Sequence, residues 1–286
     1  MELQQGFVAD ERREERRTPS EDEMKSVTFE HKGRTYRFGD SCLYEFDPGD
    51  GGEMVAVPFA DGVWPLEVYQ HVDEDEHGVR FAYKSSIGDL RYGLLPASAF
   101  TGGSGARKEA SRLATEGVQI LVDRGQDFCF GLGAWLEAGD RPVAYVTNRP
   151  GWKSKNDSRV YVHGVDVVGE GRWYADEQSP TIAKRSERQG SAIQWARSMS
   201  ELARTKGLRA CLGVALAGPL IDLAHPQNFV FHFHGGSSTG KSTGAELAAS
   251  IYGSPGGQYW QTWDTTVNAI EGNCEMADGA TLVMDE

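Results

Sequence analysis

The sequence has little cysteine: four residues in 286, Cys42, Cys129, Cys211 and Cys274, with no C-x-x-C pair among them. That spacing builds neither a zinc site nor a disulfide framework, so free thiols in a reducing compartment are expected. Basic residues are also short of the acids, 29 Lys and Arg against 42 Asp and Glu, for a net charge of −13. A field of that sign excludes coating of DNA or anionic membrane by bulk charge and leaves such partners only a local basic groove. The longest apolar run, Leu208 to Leu223, is broken by Arg209, Gly213, Gly218, Pro219 and Asp222, too interrupted and short for a bilayer span. Met1 to Ser26 hold no apolar stretch of the kind a secretory signal needs. These absences predict a cytoplasmic protein without membrane association.

What is present is an ordinary globular composition with 35 glycines, in a chain long enough for about two domains. Residues 1–26, with eight acids and five bases, read as a disordered charged tail. Residues 27–188 read as a β-rich α+β domain. SVTFEHKGRTYRF alternates around Lys32-Gly33, VRFAYKSSIGDLRYGLL gives two strands about Ile87-Gly88-Asp89, and SRVYVHGVDVV gives another strand run. Within this domain Thr101 to Arg107 (TGGSGAR) is a linker, ARKEASRLATEGVQIL a helix, and FCFGLGAWLEAG a helix weakened by glycine. Residues 189–226 predict a helical hairpin broken near Gly207. Ile193, Trp195, Ala196, Met199, Leu202 and Ala203 form a stripe on its first arm, and its second arm is apolar nearly all round and so expected to be buried.

Residues 227–286 carry the chemistry. Gly235-x-x-x-x-Gly240-Lys241-Ser242 is a full phosphate-binding loop motif, entered by the β-rich run Phe229 to His234 and followed by a helix-compatible segment to Tyr252. Glycines let successive amides turn inward around a phosphate, and the helix N-terminus adds partial positive charge. The pattern predicts that Gly235, Gly236, Ser237, Ser238, Thr239, Gly240, Lys241, Ser242 and Thr243 cradle the phosphates of a nucleoside triphosphate, the base being left open. Lys241 reaches the β- and γ-phosphates, and the Ser242 hydroxyl is placed for Mg²⁺. Thr281 to Glu286 (TLVMDE) is an apolar strand ending in two acids. Beside a phosphate loop, Asp285 is the expected Mg²⁺ carboxylate and Glu286 the base that polarises the attacking water. QYWQTW supplies a further strand, and Val267, Ile270 and Cys274 a helix capped by Asp264 or Thr265, giving the first half of a parallel α/β P-loop sheet. Trp260 and Trp263 fit a buried β–α interface better than a base-stacking platform. His232 with His234, and the stretch His71 to His77, have metal-type side chains but fit ordinary strand and hairpin positions better.

HFHGGSSTGKSTGAELAASIYGSP, the W-x-T-W-D-x-T-x-N-A-I-E segment and TLVMDE resemble the family called domain of unknown function 927, found in primase–helicase-like proteins of prophages and integrative elements. RLATEGVQI, RPGWKS, the Trp195 helix and GVALAGPLIDL are similar in type and order to that family's pattern. The resemblance implies ATP as the nucleotide and a helicase-like ATPase that acts on single-stranded DNA, oligomeric when complete. The chain stops at Glu286, so later strands, a polar sensor and any arginine finger are expected on a longer polypeptide. The alternatives are a nucleotide-dependent regulatory switch that does not translocate on DNA, and an inert remnant acting as a binding module.

Overall fold

Alternating apolar side chains make the first part of the chain an antiparallel meander. In the computed structural model, which describes residues 19–49, 53–176, 191–224, 228–236, 239–253 and 259–285, the chain divides into two units, Met1–Ala144 and Tyr145–Glu286. In the first unit β1 (Val27–His31), β2 (Arg34–Phe46), β3 (Val55–His71), β4 (His77–Lys84) and β5 (Leu90–Pro96) pair in chain order, all antiparallel. The β1–β2 turn falls at Lys32-Gly33, where both residues have positive φ, as a two-residue hairpin requires. Two helices, α1 (Gly103–Thr115) and α2 (Gly125–Glu137), cover one face, with the short strand β6 (Gln119–Ile120) between them pairing with Ala60 and Asp61 of β3. Phe38, Phe59, Val63, Phe81 and Leu95 from the sheet join Leu113, Phe128, Leu132 and Trp135 from the helices in one core. Phe81 meets Phe128 edge-on at 5.9 Å between ring centroids.

Two expectations change in this unit. The expected linker is instead a 3₁₀ turn, Ala97–Thr101, that runs into α1 at Gly103. Buried Ala106, Ala110 and Leu113 reward continuing the helix back through the small residues. Residues 1–18 of the expected tail lie outside the described residues, but Ser20 to Glu23 form a reciprocal cap. The Ser20 amide donates to Glu23 Oε2 at 2.9 Å, and the Tyr92 hydroxyl donates to the same oxygen at 3.0 Å.

The strand β7 (Val143–Thr147) leads from one unit into the other, and its residues Tyr145–Thr147 run parallel to β11 (Trp173–Ala175). Between them β8 (Gly151–Lys155), β9 (Ser158–His163) and β10 (Asp166–Gly169) form an antiparallel three-stranded sheet. Helices α3 (Ala192–Leu202) and α4 (Lys206–Ala224) follow, then α5 (Lys241–Ala249), β12 (Trp260–Thr262), α6 (Val267–Met276) and β13 (Val283–Asp285). Thr266, not Asp264 or Thr265, caps α6, its hydroxyl accepting from the Ala269 amide at 3.3 Å.

The fold is mixed α/β, and its larger sheets are mainly antiparallel, the β7–β11 pair being parallel. In the region expected to form a parallel sheet, β12 and β13 pair in parallel, Thr262 opposite Asp285. The third expected strand does not form: Phe229 to His234 is exposed and pairs with no strand among the described residues. A backbone run needs a neighbour to accept its hydrogen bonds, and alternation in sequence does not supply one. Ring contacts within the run, Phe231 to Phe233 at 4.8 Å, are local.

The break between α3 and α4 lies before Lys206, and Gly207 sits inside the first turn of α4. This helix has 19 residues and a mean hydropathy of 1.5, long and apolar enough by composition to cross a membrane, a length the interrupted run did not suggest. Its burial is one-sided, contrary to expectation: Cys211, Leu212, Ala215 and Gly218 are buried, while Leu216, Leu220 and Leu223 are exposed. No residue of α3 is fully buried, so its apolar stripe is only half covered.

Candidate functional site

The glycine motif begins in the extended run that precedes α5. Gly240 lies in the left-handed region at φ 85°, which lets the chain turn into the helix at a position where a side chain would be strained. The first intrahelical bond of α5 runs from the Gly244 amide to the Gly240 carbonyl at 2.9 Å. The amides of Lys241, Ser242 and Thr243 therefore have no helical acceptor and face the loop end. Lys241 folds over the loop, its Nζ donating to the carbonyls of Gly235 at 2.9 Å and Gly236 at 3.0 Å. Thr239 Oγ1 donates to the Gly236 carbonyl at 2.9 Å, and a side chain at Gly235 would press on this hydroxyl at 3.2 Å. Ser242 and Thr243 are exposed. Ser237, Ser238 and Glu286 lie outside the described residues.

Asp285 ends β13, half-buried, with its carbonyl accepting from the Trp263 amide at 3.1 Å. The helix that starts at Lys241 packs on this strand: Ala245, Ala248 and Ala249 join Val283, Trp260, Tyr252, Tyr259 and Ala215 in a second core. Small alanines let helix and strand approach closely, which ties the loop helix to the strand that carries the carboxylate. Trp260 belongs to this interface, as expected, but Trp263 is 58 % exposed.

Among the described residues no three His, Cys, Asp or Glu side chains form a metal cluster. The His232 and His234 rings lie 6.1 Å apart and are exposed, and His71 Nδ1 accepts from the Asp73 amide at 3.3 Å. Magnesium does not need such a cluster, because it is commonly held by one or two protein oxygens together with phosphate oxygens and water. A cleft of about 280 Å³ lined by Asn148, Arg149, Gly272, Glu275 and Met276 contains none of the loop residues.

The sequence did not reveal how the surroundings hold this core. Side chains from β8 and β9 donate to three backbone carbonyls on three different core segments. Trp152 Nε1 donates to Pro219 in α4 at 2.7 Å, Tyr161 Oη to Gly279 before β13 at 2.9 Å, and His163 Nε2 to Tyr252 after α5 at 2.6 Å. A carbonyl only accepts, so the His163 proton sits on Nε2. His163 also stands edge-on to Tyr252, which stacks on Tyr259 at 5.2 Å. From the other side Trp195 of α3 donates to Ser250 Oγ at 3.0 Å, just past the end of α5. The signal available in sequence was the recurrence of aromatic and histidine side chains at alternate positions of SRVYVH.

No curated protein matches the chain in sequence. Among solved structures it is similar to "SCCmec type IV Cch - active helicase", with a TM-score of 0.58 and 17 % identity over 82 % of this chain, a likeness of fold. The chain spans 46 % of that structure's length. Residues 64–286 match the family described as domain of unknown function DUF927, and the chain belongs to that family.

Proposed function

We propose that the chain carries the nucleotide-binding half of an ATP-hydrolysing, helicase-like enzyme that serves the replication of phage or mobile-element DNA. The observation that carries this reading is the glycine motif, whose first-turn amides in α5 find no acceptor among the described residues and whose lysine ammonium folds over Gly235 and Gly236. In this reading the amides and Lys241 hold the β- and γ-phosphates, and Lys241 exchanges its two loop carbonyls for phosphate oxygens. Ser242 and Asp285 hold magnesium, which when bound draws charge from the phosphate oxygens. Glu286 takes the proton of the attacking water. The likeness of fold to an active helicase supports action on nucleic acid, and single-stranded DNA is the substrate we assign. We also assign the complete protein an oligomeric state.

The second reading, a nucleotide-driven switch that does not move on DNA, is favoured by the net charge of −13. Two measurements decide. Lys241→Ala is expected to abolish binding of magnesium-ATP, and equal affinity in variant and parent would refute the loop assignment. Turnover by the complete protein is expected to rise with single-stranded DNA, and turnover indifferent to DNA selects the switch.

A further inference from the structure

Building on the ATPase reading, we infer that the corner joining α3 to α4 is the surface that receives the phosphate backbone of single-stranded DNA. Arg197, Arg204, Lys206 and Arg209 cluster there with Glu201 as the one acid among them, a local charge of +3 in a chain of net −13. All four cations are exposed, and among the described residues none of them is in an ion pair. Lys206 and Arg209 stand three apart on one helix and so share a face, where like charges repel until an anion lies between them. Arg209 Nε donates to the Ala203 carbonyl at 2.7 Å, which fixes one guanidinium at the joint and leaves its other donors for a ligand. A strand of phosphates matches such a row, because each neutralised phosphate releases counterions and every arginine offers several donors.

The corner is also attached to the nucleotide loop. Trp195 of α3 bonds to Ser250 at the end of α5, and α4 packs along α5 so closely that a side chain at Gly244 would lie 2.7 Å from Cys211 Sγ. DNA seated on these cations bears on the two helices that flank the loop helix. The other basic element of this unit, the β8–β9 hairpin, is a poorer match. Lys153 lies 3.9 Å from Asp278, and Asp157 and the neighbouring Glu170 offset Lys155 and Arg159.

The test is fluorescence anisotropy of the 286-residue chain with a fluorescein-labelled thirty-nucleotide oligo(dT) over a series of salt concentrations. Arg204→Glu with Lys206→Glu is expected to weaken binding tenfold or more and to lower the log–log salt slope by about 1.4, near 0.7 for each lost phosphate contact. The milder pair Arg197→Gln with Arg209→Gln is expected to weaken binding severalfold, while Lys155→Glu with Arg159→Glu changes it less than twofold. Unchanged affinity and slope in both corner pairs, a larger loss from the hairpin pair, or no binding by the parent chain overturns the proposal. Affinity for a fluorescent ATP analogue is read on the same samples. Its absence in the parent chain defeats the nucleotide reading and leaves the DNA result legible by itself.

Discussion

The hydroxyl of Tyr252 donates to the carbonyl of Ala215, the group that Pro219 leaves without a partner inside α4. Proline has no amide hydrogen, so the acceptor four residues before it loses its helical donor. Ala215 is fully buried, which makes an unmet carbonyl costly, and Thr281 Oγ1 supplies a second donor at 2.9 Å. Helix α4, the segment after α5 and the segment before β13 thus meet on one oxygen.

Removing these donors should destabilise the unit unequally. Tyr252→Phe alone leaves Thr281 in place and is expected to cost about 1 kcal/mol, whereas Tyr252→Phe with Thr281→Val exposes the full penalty, up to about 3 kcal/mol. Denaturant titration of the two singles and the double gives the coupling. Strict additivity would mean that the hydroxyls do not share the acceptor.

Asp285→Asn is expected to separate magnesium from nucleotide. The gain in ATP affinity on adding Mg²⁺ should fall by about tenfold or more, and affinity in excess chelator should stay near that of the parent. Calorimetric titration with and without the metal reads both. An equal loss in the two conditions would move Asp285 out of the metal role.

Gly244→Ala tests the contact between α4 and α5. In an open helix this change gains about 1 kcal/mol, but here the new methyl would sit 2.7 Å from Cys211 Sγ, and overpacking costs about 1–3 kcal/mol. Thermal unfolding of Gly244→Ala should show a loss that Cys211→Ala restores when combined with it. Stabilisation by the single change would mean that the helices part easily.

Burial pushes the Cys42 thiol up to about 11 from 9.0, and the Cys129 thiol up to about 12. A thiol held neutral in the native state contributes stability that is complete below pH 9 and is lost as the pH climbs through the native value. Unfolding free energy should therefore decline between pH 9 and 11, at a limiting ~1.4 kcal/mol per pH unit for each such thiol. Cys42→Ala should flatten that decline. In native protein at pH 8 a thiol reagent should label exposed Cys274 well before the three buried cysteines.

The turn at Gly240 into α5 was legible in sequence because a left-handed residue before a helix favours glycine, and alternation marked the strands of the meander because each had a neighbour within a short turn. Phe229 to His234 has the same alternation but finds no partner strand among the described residues, so the pattern alone misled. The apolar second arm of the hairpin suggested full burial, yet Leu216, Leu220 and Leu223 face outward, since composition does not say which side of a helix is covered. Least legible were the bonds of Trp152, Tyr161 and His163, which reach 67, 118 and 89 residues along the chain. No local period records a contact over such distances.

Those three bonds place their demands asymmetrically. Each donor must be an indole, a phenol or an imidazole of the right reach, but each acceptor is a main-chain oxygen, which every amino acid possesses. Substitution at position 219 can proceed without breaking the clasp so long as the backbone path is kept, whereas the donating strands have little room to drift. Gly279 is held for a separate reason, since a Cβ there would lie 2.4 Å from Gly151 Cα. Among homologous chains the β8–β9 pair should hold its aromatic and histidine identities more firmly than the core segments it grips. Such a clasp lets the core of α5 and β13 be retuned in sequence while its support stays fixed.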